Sequence, residues 1–259
     1  MRRSFFPAFM SALFACQTGD AMAGAFLQPP GEGQIIVTST FTDSLQAFDR
    51  TGRVVPVLGY RKLEITGYVE YGLTDWMTAV VSPSYESVWS GGPPEAAGRG
   101  PGASQAGARF RLLDFDAQTI AAQVSVLAPN TAESIWRNNA AGAEARLFYG
   151  MNATLFDRPA FIDLQSAYRR YGGVERDELR VDATFGVRIW PTVLFLAQSF
   201  NIVSVPRRNL PAARSTKLQI SGVYEFHPNW SLQVGAFASL TGANAGVERG
   251  VLSAIWRKF

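Results

Sequence analysis

Cysteine is nearly missing from this 259-residue sequence; the only one is Cys16. Without a second thiol, neither a disulfide framework nor a thiolate metal site can form. Histidine is equally scarce. His227 stands alone in an apparent turn, which excludes a multi-histidine metal centre and leaves no serine–histidine pair for nucleophilic catalysis. Charged residues make up only 17% of the chain, and the net charge of +3 is too small and too scattered for nucleic-acid binding. The glycines at Gly98, Gly100 and Gly102 lack the Lys-Ser/Thr that completes a phosphate loop. Glu144, Asp163 and Asp182 are each flanked by arginines that hold them ionised, which suits acid–base catalysis poorly. No enzymatic activity, metal or organic cofactor is expected. Also missing, beyond the start of the chain, is any run approaching the ~18 consecutive apolar residues of a membrane-spanning helix.

The start of the chain is different in kind. Arg2 and Arg3 precede an apolar stretch from Phe5 to Cys16, and Ala21-Met22-Ala23 offers the small-x-small pattern of a signal-peptidase site. Residues 1–23 are therefore expected to be a cleaved signal peptide, with the mature chain starting at Gly24. Cleavage after Ala25 is an alternative. A rival reading takes Leu13-Phe14-Ala15-Cys16 as a lipobox, with bulky Phe14 against it. Processing after Ala23 lowers the net charge to +2. An exported chain without a membrane helix is periplasmic, secreted, or embedded as a barrel.

What the sequence has in abundance is alternation. Successive side chains of a strand point to opposite faces, so a period of two marks a strand with two different sides. In Leu179 to Ile189, the residues Leu179, Val181, Ala183, Phe185, Val187 and Ile189 oppose Arg180, Asp182, Thr184, Gly186 and Arg188. Gly142 to Phe156, Ser215 to Phe226 and Trp230 to Leu240 repeat the pattern. Weaker versions run through Gly33 to Phe41, Leu63 to Tyr71, Met77 to Val88, Gln105 to Leu113, Ala117 to Ala128 and Ala160 to Tyr171, and Gly246 to Phe259 closes the chain. Val193 to Val203 is apolar with poor alternation. These make about twelve strands, longer than the ~5–6 residues usual in globular sheets.

The connections alternate too. Tight turns at 73–75, 114–116, 157–158, 191–192 and 227–229 separate longer links such as Trp89 to Ser104 and Ser204 to Arg214. Aromatic residues gather at every tight turn: Trp76, Phe115, Phe156 with Phe161, Trp190, and Phe226 with Trp230. Tyr85, Trp89, Tyr168, Tyr171 and Phe200 fall near the opposite ends. Short turns at one end, longer loops at the other, and aromatic girdles at both are the pattern of transmembrane barrels, the only sheets that leave no unpaired edge in a bilayer. The expected fold is all-β: a transmembrane antiparallel up-and-down β-barrel of about 12 strands over residues 24–259.

The chain ends Val251-Leu252-Ser253-Ala254-Ile255-Trp256-Arg257-Lys258-Phe259 and so resembles bacterial outer-membrane proteins, whose last strand finishes in phenylalanine. Arg257 departs from the aromatic or apolar residue usual there. The segments Tyr71 to Trp76 and Phe226 to Trp230 also look like the strand-turn-strand units of such barrels. Gly31-Glu32-Gly33-Gln34 before a strand is similar to the start of the outer-membrane family linked to the phenol-degradation meta pathway, which is thought to aid uptake of small, often hydrophobic compounds. The resemblance implies an outer-membrane location in a Gram-negative bacterium, reached after export through the inner membrane. It implies contact with outer-membrane lipid and lipopolysaccharide, delivery by the barrel assembly machinery through the strand ending in Phe259, and a porin-like role with an unidentified small solute.

If the apolar faces meet lipid, the other faces fill the lumen, since Arg or Lys at the bilayer midplane costs ~2–4 kcal/mol. The expected lumen-lining residues are Lys62, Glu64, Glu70, Arg109, Arg111, Glu144, Arg146, Asp163, Arg169, Arg180, Asp182, Arg188 and Glu225. Two readings fit them. They stiffen a narrow barrel by pairing with one another, or the arginine ladder of Arg109, Arg111, Arg146, Arg180 and Arg188 makes a pore that favours anionic solutes. A plugged barrel acting through its extracellular loops, Trp89 to Ser104 and Arg207-Arg208-Asn209, is the alternative to a channel.

Overall fold

A computed structural model describes residues 24–91, 97–132, 140–173, 176–206 and 211–259. The expected signal peptide with Cys16, the centre of the Trp89 to Ser104 loop, and Arg207-Arg208-Asn209 lie outside the described residues.

The described chain is built from strands β1 (Gly33–Phe48), β2 (Val54–Thr74), β3 (Met77–Ser82), β4 (Ser84–Ser90), β5 (Gly98–Pro101), β6 (Gln105–Phe115), β7 (Gln118–Leu127), β8 (Gly142–Leu155), β9 (Arg158–Tyr171), β10 (Glu178–Trp190), β11 (Val193–Ser204), β12 (Ala213–His227), β13 (Trp230–Ala243) and β14 (Ala245–Lys258). All pairings between strands are antiparallel, and β1 pairs with both β2 and β14, which closes the sheet on itself. β3 and β4 lie end to end along β2, parted at Pro83, and β5 and β6 continue that arrangement one position further round. Proline cannot donate to a ladder, so the break falls where the sequence puts one. Counting each interrupted pair once gives a closed barrel of 12 staves, one for each strand expected from the sequence.

Alternation and register agree across the barrel. Val181, Leu147, Ile220, Val234, Val251 and Ile255 are exposed on the outside, while their sequence neighbours are buried or half-buried inside. Where the inner side chains fill a closed sheet, an apolar exterior has no protein to cover it. β11 explains its own weak alternation: Leu194 and Leu196 point inward and are buried, so both of its faces are apolar.

Three expectations need correction. The end carrying the longer links also carries two tight ones, Asp49 to Arg53 and Asn244, which alone joins β13 to β14 in a left-handed conformation (φ 51°). In the first of these, Asp49 accepts from the Thr51 hydroxyl and amide and from the Arg53 amide; these bonds favour the ionised form and hold its carboxyl below the usual range. β1 and β2 run on past their expected ends to form a long hairpin beside it. Among the aromatics, Trp76, Phe115, Phe156, Trp190 and Phe226 stand exposed at the tight turns, but Phe161 and Phe200 point inward. Gly186, paired with Phe161 in the ladder, leaves its ring room to do so.

Candidate functional site: the barrel interior

The first described residues do not precede the barrel; they enter it. Gly31 donates to the carbonyl of Gly72, Gly72 to that of Glu32, and Pro30 bridges Gly72 in parallel. From there the segment runs inward. The Gln28 amide donates to Thr78 Oγ1 at 3.1 Å and its side chain to Glu70 at 3.1 Å. Ala25, Phe26 and Leu27 pack on Ala121 and Phe148. Small residues on the inner faces make the space: side chains at Gly72 and Gly150 would overlap Pro29 and the Ala25–Phe26 pair. Nothing in the alternation pointed to this segment, because it contains none; the signal available was glycine and alanine at inward positions of β2, β7 and β8.

Around the segment lie the charges. Arg109 is 1% exposed and its donors are all engaged: Glu70 at 2.7 Å, the Tyr68 hydroxyl at 2.7 Å, Gln123 at 3.1 and 3.2 Å, and the Gly24 carbonyl. Its guanidinium also lies 4.4 Å from the centre of the Phe148 ring. Glu70, fully buried, accepts from Tyr68 at 2.6 Å as well. Beside this cluster Glu144 bridges Arg146 (3.0 Å) and Arg169 (2.8 Å), and Arg146 reaches on to Asp182 (2.9 Å) and to Gln165 (2.7 Å). Gln165 in turn donates to Asp163.

The remaining predicted residues are spread along the barrel. Lys62 pairs with Glu64 at 2.9 Å and with Glu86 at 3.7 Å. Arg180 pairs with Glu178 at 2.7 Å. Near the tight turns Arg188 pairs with Glu225 at 2.8 Å, and Arg111, half-exposed, with Asp114 at 3.3 Å. Of the thirteen predicted residues, Arg109, Arg146 and Asp182 line the central cavity. Glu86 and Glu178, the partners of Lys62 and Arg180, and the Lys217–Glu248 pair were missed, although alternation assigns each to the inner face.

The cavity measures about 440 Å³ and is lined by two unlike sets of side chains. One presents side-chain amides and the paired charges: Gln105, Gln123, Gln165, Gln198, Gln219 and Gln233 with Arg146 and Asp182. The Oε1 of Gln105 is buried and has no hydrogen-bond partner among the described residues. The other is a buried apolar cluster, Ile36, Phe161, Leu196 and Trp256 among its members, formed by the inner faces of β1, β9, β11, β12 and β14 and so sharing β9, β11 and β12 with the amides. Trp256 turns its indole N–H to Gln233 at 3.0 Å and so spends its one polar atom within the protein.

A closed antiparallel barrel, apolar outside and charged within, has known counterparts. The COG4313 outer membrane channel from Pseudomonas putida F1 superposes with a TM-score of 0.72 over 91% of this chain and 98% of its own, at 16% identity. This protein has the fold of a bacterial outer-membrane β-barrel. The β domain of the Bordetella autotransporter BrkA (TM-score 0.55, 10% identity, 88% and 100% coverage) and the NanC porin (0.53, 10%, 86% and 98%) share it. No protein-family model and no curated protein matches the sequence. An outer-membrane β-barrel places its staves so that every strand hydrogen bond is made within the ring, which the β1–β14 seam completes here.

Proposed function

We propose that this barrel is an outer-membrane channel for small molecules, and that its solutes are neutral, with an apolar ring and a hydroxyl or similar donor. The observation that carries this reading is the cavity lined by side-chain amides and a buried apolar cluster together. Charged solutes have less to gain there, because Arg109 and Arg146 already face carboxylates. The anion-selective arginine ladder is accordingly the weaker of the two readings of those charges. Gln105, whose Oε1 has no partner among the described residues, can turn that acceptor to a solute hydroxyl, and the aromatic and aliphatic cluster lining the same cavity takes the ring. Likeness to an outer membrane channel and a porin supports the class of function. The resemblance to a family associated with hydrophobic compounds points the same way. Export by a signal peptide ending at Ala23, assembly through the strand ending in Phe259, and contact with lipopolysaccharide belong to the same reading.

The test is single-channel recording of the processed protein in planar bilayers. Discrete current steps are expected, and benzyl alcohol should interrupt them more often than benzoate at equal concentration. Equal or greater interruption by benzoate would reject the neutral-solute assignment. Silence from folded, inserted protein would reject the channel and favour the second reading, a plugged barrel acting through its loops, for which the N-terminal segment inside the lumen speaks.

A further inference from the structure

Asp163 differs from the other carboxylates of the interior. It projects inward from β9 and is 1% exposed, yet among the described residues it accepts only from neutral donors: Gln165 Nε2 onto Oδ1 at 2.6 Å and the Ala25 amide onto Oδ2 at 2.6 Å. No Lys or Arg nitrogen among the described residues lies within ion-pairing distance of it, whereas Glu70, Glu144 and Asp182 each meet a guanidinium at 3.0 Å or less. Arg109 and Arg146 act on it only from beyond contact, and a buried carboxylate with no cation against it is costly. Directly against it lies Gly24, the residue that follows the expected cleavage site.

We infer that Asp163 is the receptor for the α-ammonium group that signal-peptide removal creates at Gly24, so that processing latches the start of the mature chain inside the barrel. The inference rests on cleavage after Ala23. Gly24 is held from two sides, its carbonyl by Arg109 and the next amide by Asp163. It adopts φ +126°, open to glycine alone, and any side chain on it would overlap the Asp163 carboxylate. The α-carbon is therefore pressed onto the carboxylate, and the α-nitrogen is one bond from that carbon. A free ammonium there would itself be buried and would need an anion. Each group supplies what the other lacks. The arrangement is specific for register: cleavage after Ala25 would remove both Gly24 and the amide that anchors Asp163. It also accounts for glycine immediately after the Ala21-Met22-Ala23 site, where a peptidase alone requires none.

The test uses protein expressed with its whole signal peptide and purified from the outer membrane. Its N-terminus is located by intact mass, and its α-amine is challenged with an amine-reactive ester, folded and unfolded. The expected result is a chain starting at Gly24 whose α-amine is protected until the barrel is unfolded. Asp163→Asn keeps the shape and an acceptor oxygen for Ala25 but loses the charge, and is expected to lose the protection while the barrel keeps its folded mobility on unheated gels. Gly24→Ala is expected to lose it by steric expulsion. An N-terminus elsewhere, a wild-type α-amine that labels as fast folded as unfolded, or full protection in Asp163→Asn would each overturn the latch. None of these readouts depends on conductance, so failure of the channel reading leaves the inference standing and separately measurable.

Discussion

At the scale of single residues, the interior is governed by satisfaction of charge. Arg109 makes polar contacts with four residues, and Glu70 beneath it is fully buried. Removing one member of such a pair leaves the other uncompensated, which typically costs about 3–5 kcal/mol. Arg109→Met is therefore expected to lower the stability of the barrel by that order, seen as an earlier unfolding midpoint in urea. Adding Glu70→Leu should recover most of the loss, because the stranded carboxylate is then gone. If the double variant unfolds as early as the single one, Arg109 acts through packing on Phe148 rather than through its charge. The identities of these charges were legible in the sequence, since alternation assigns them to one face. Their partners were not, because pairing across staves depends on register, and a period of two fixes a face without fixing a neighbour. Glu144 meeting Arg169 follows only once Glu144 and Arg169 are known to stand opposite in the ladder.

At the scale of the element, each stave is a strip with an inner and an outer chemistry. Most of the twelve were visible as alternation, and their order followed, because an up-and-down barrel keeps sequence neighbours as spatial neighbours. The exceptions have local causes: Pro83 interrupts one stave, and β11 reads as featureless because Leu194 and Leu196 carry apolar character to the inside as well. The inward turn of Phe161 could not be foreseen without knowing that Gly186 stands beside it. The outer strip is the firmer prediction. Val234 stands exposed at the middle of β13, so Val234→Arg should cost about 2–4 kcal/mol of folding free energy into lipid vesicles. Gln233→Arg, one residue along and facing inward, should insert far better than Val234→Arg. Equal insertion of the two would mean that β13 does not face lipid as its exposure indicates.

At the scale of the whole molecule, two bodies share one lumen: the ring of staves and the segment from Gly24 to Glu32. The segment occupies the side of β2, β7 and β8, and the apolar cluster the side of β11, β12 and β14, so the cavity is what remains between them. Deleting residues 25–29 should leave the ring intact and raise the unitary conductance. An unchanged conductance in a folded deletion variant would place the limiting constriction elsewhere. This segment is the part of the interior least legible in the sequence. It has no periodicity of its own, and the cavity it narrows is shaped by glycines whose purpose appears only when something is packed against them.

The seam between β1 and β14 carries a different consequence. The Gly33 amide donates to the Phe259 carbonyl at 2.7 Å, and the Phe259 amide to the Gly33 carbonyl at 2.9 Å, so the ring closes only when the two distant parts of the chain meet. A chain that lacks β14 leaves β1 and β13 with bare edges, which no bilayer tolerates. The seam thus makes residence in the membrane all-or-none: without β14 the remaining staves have no closed form for a bilayer to hold.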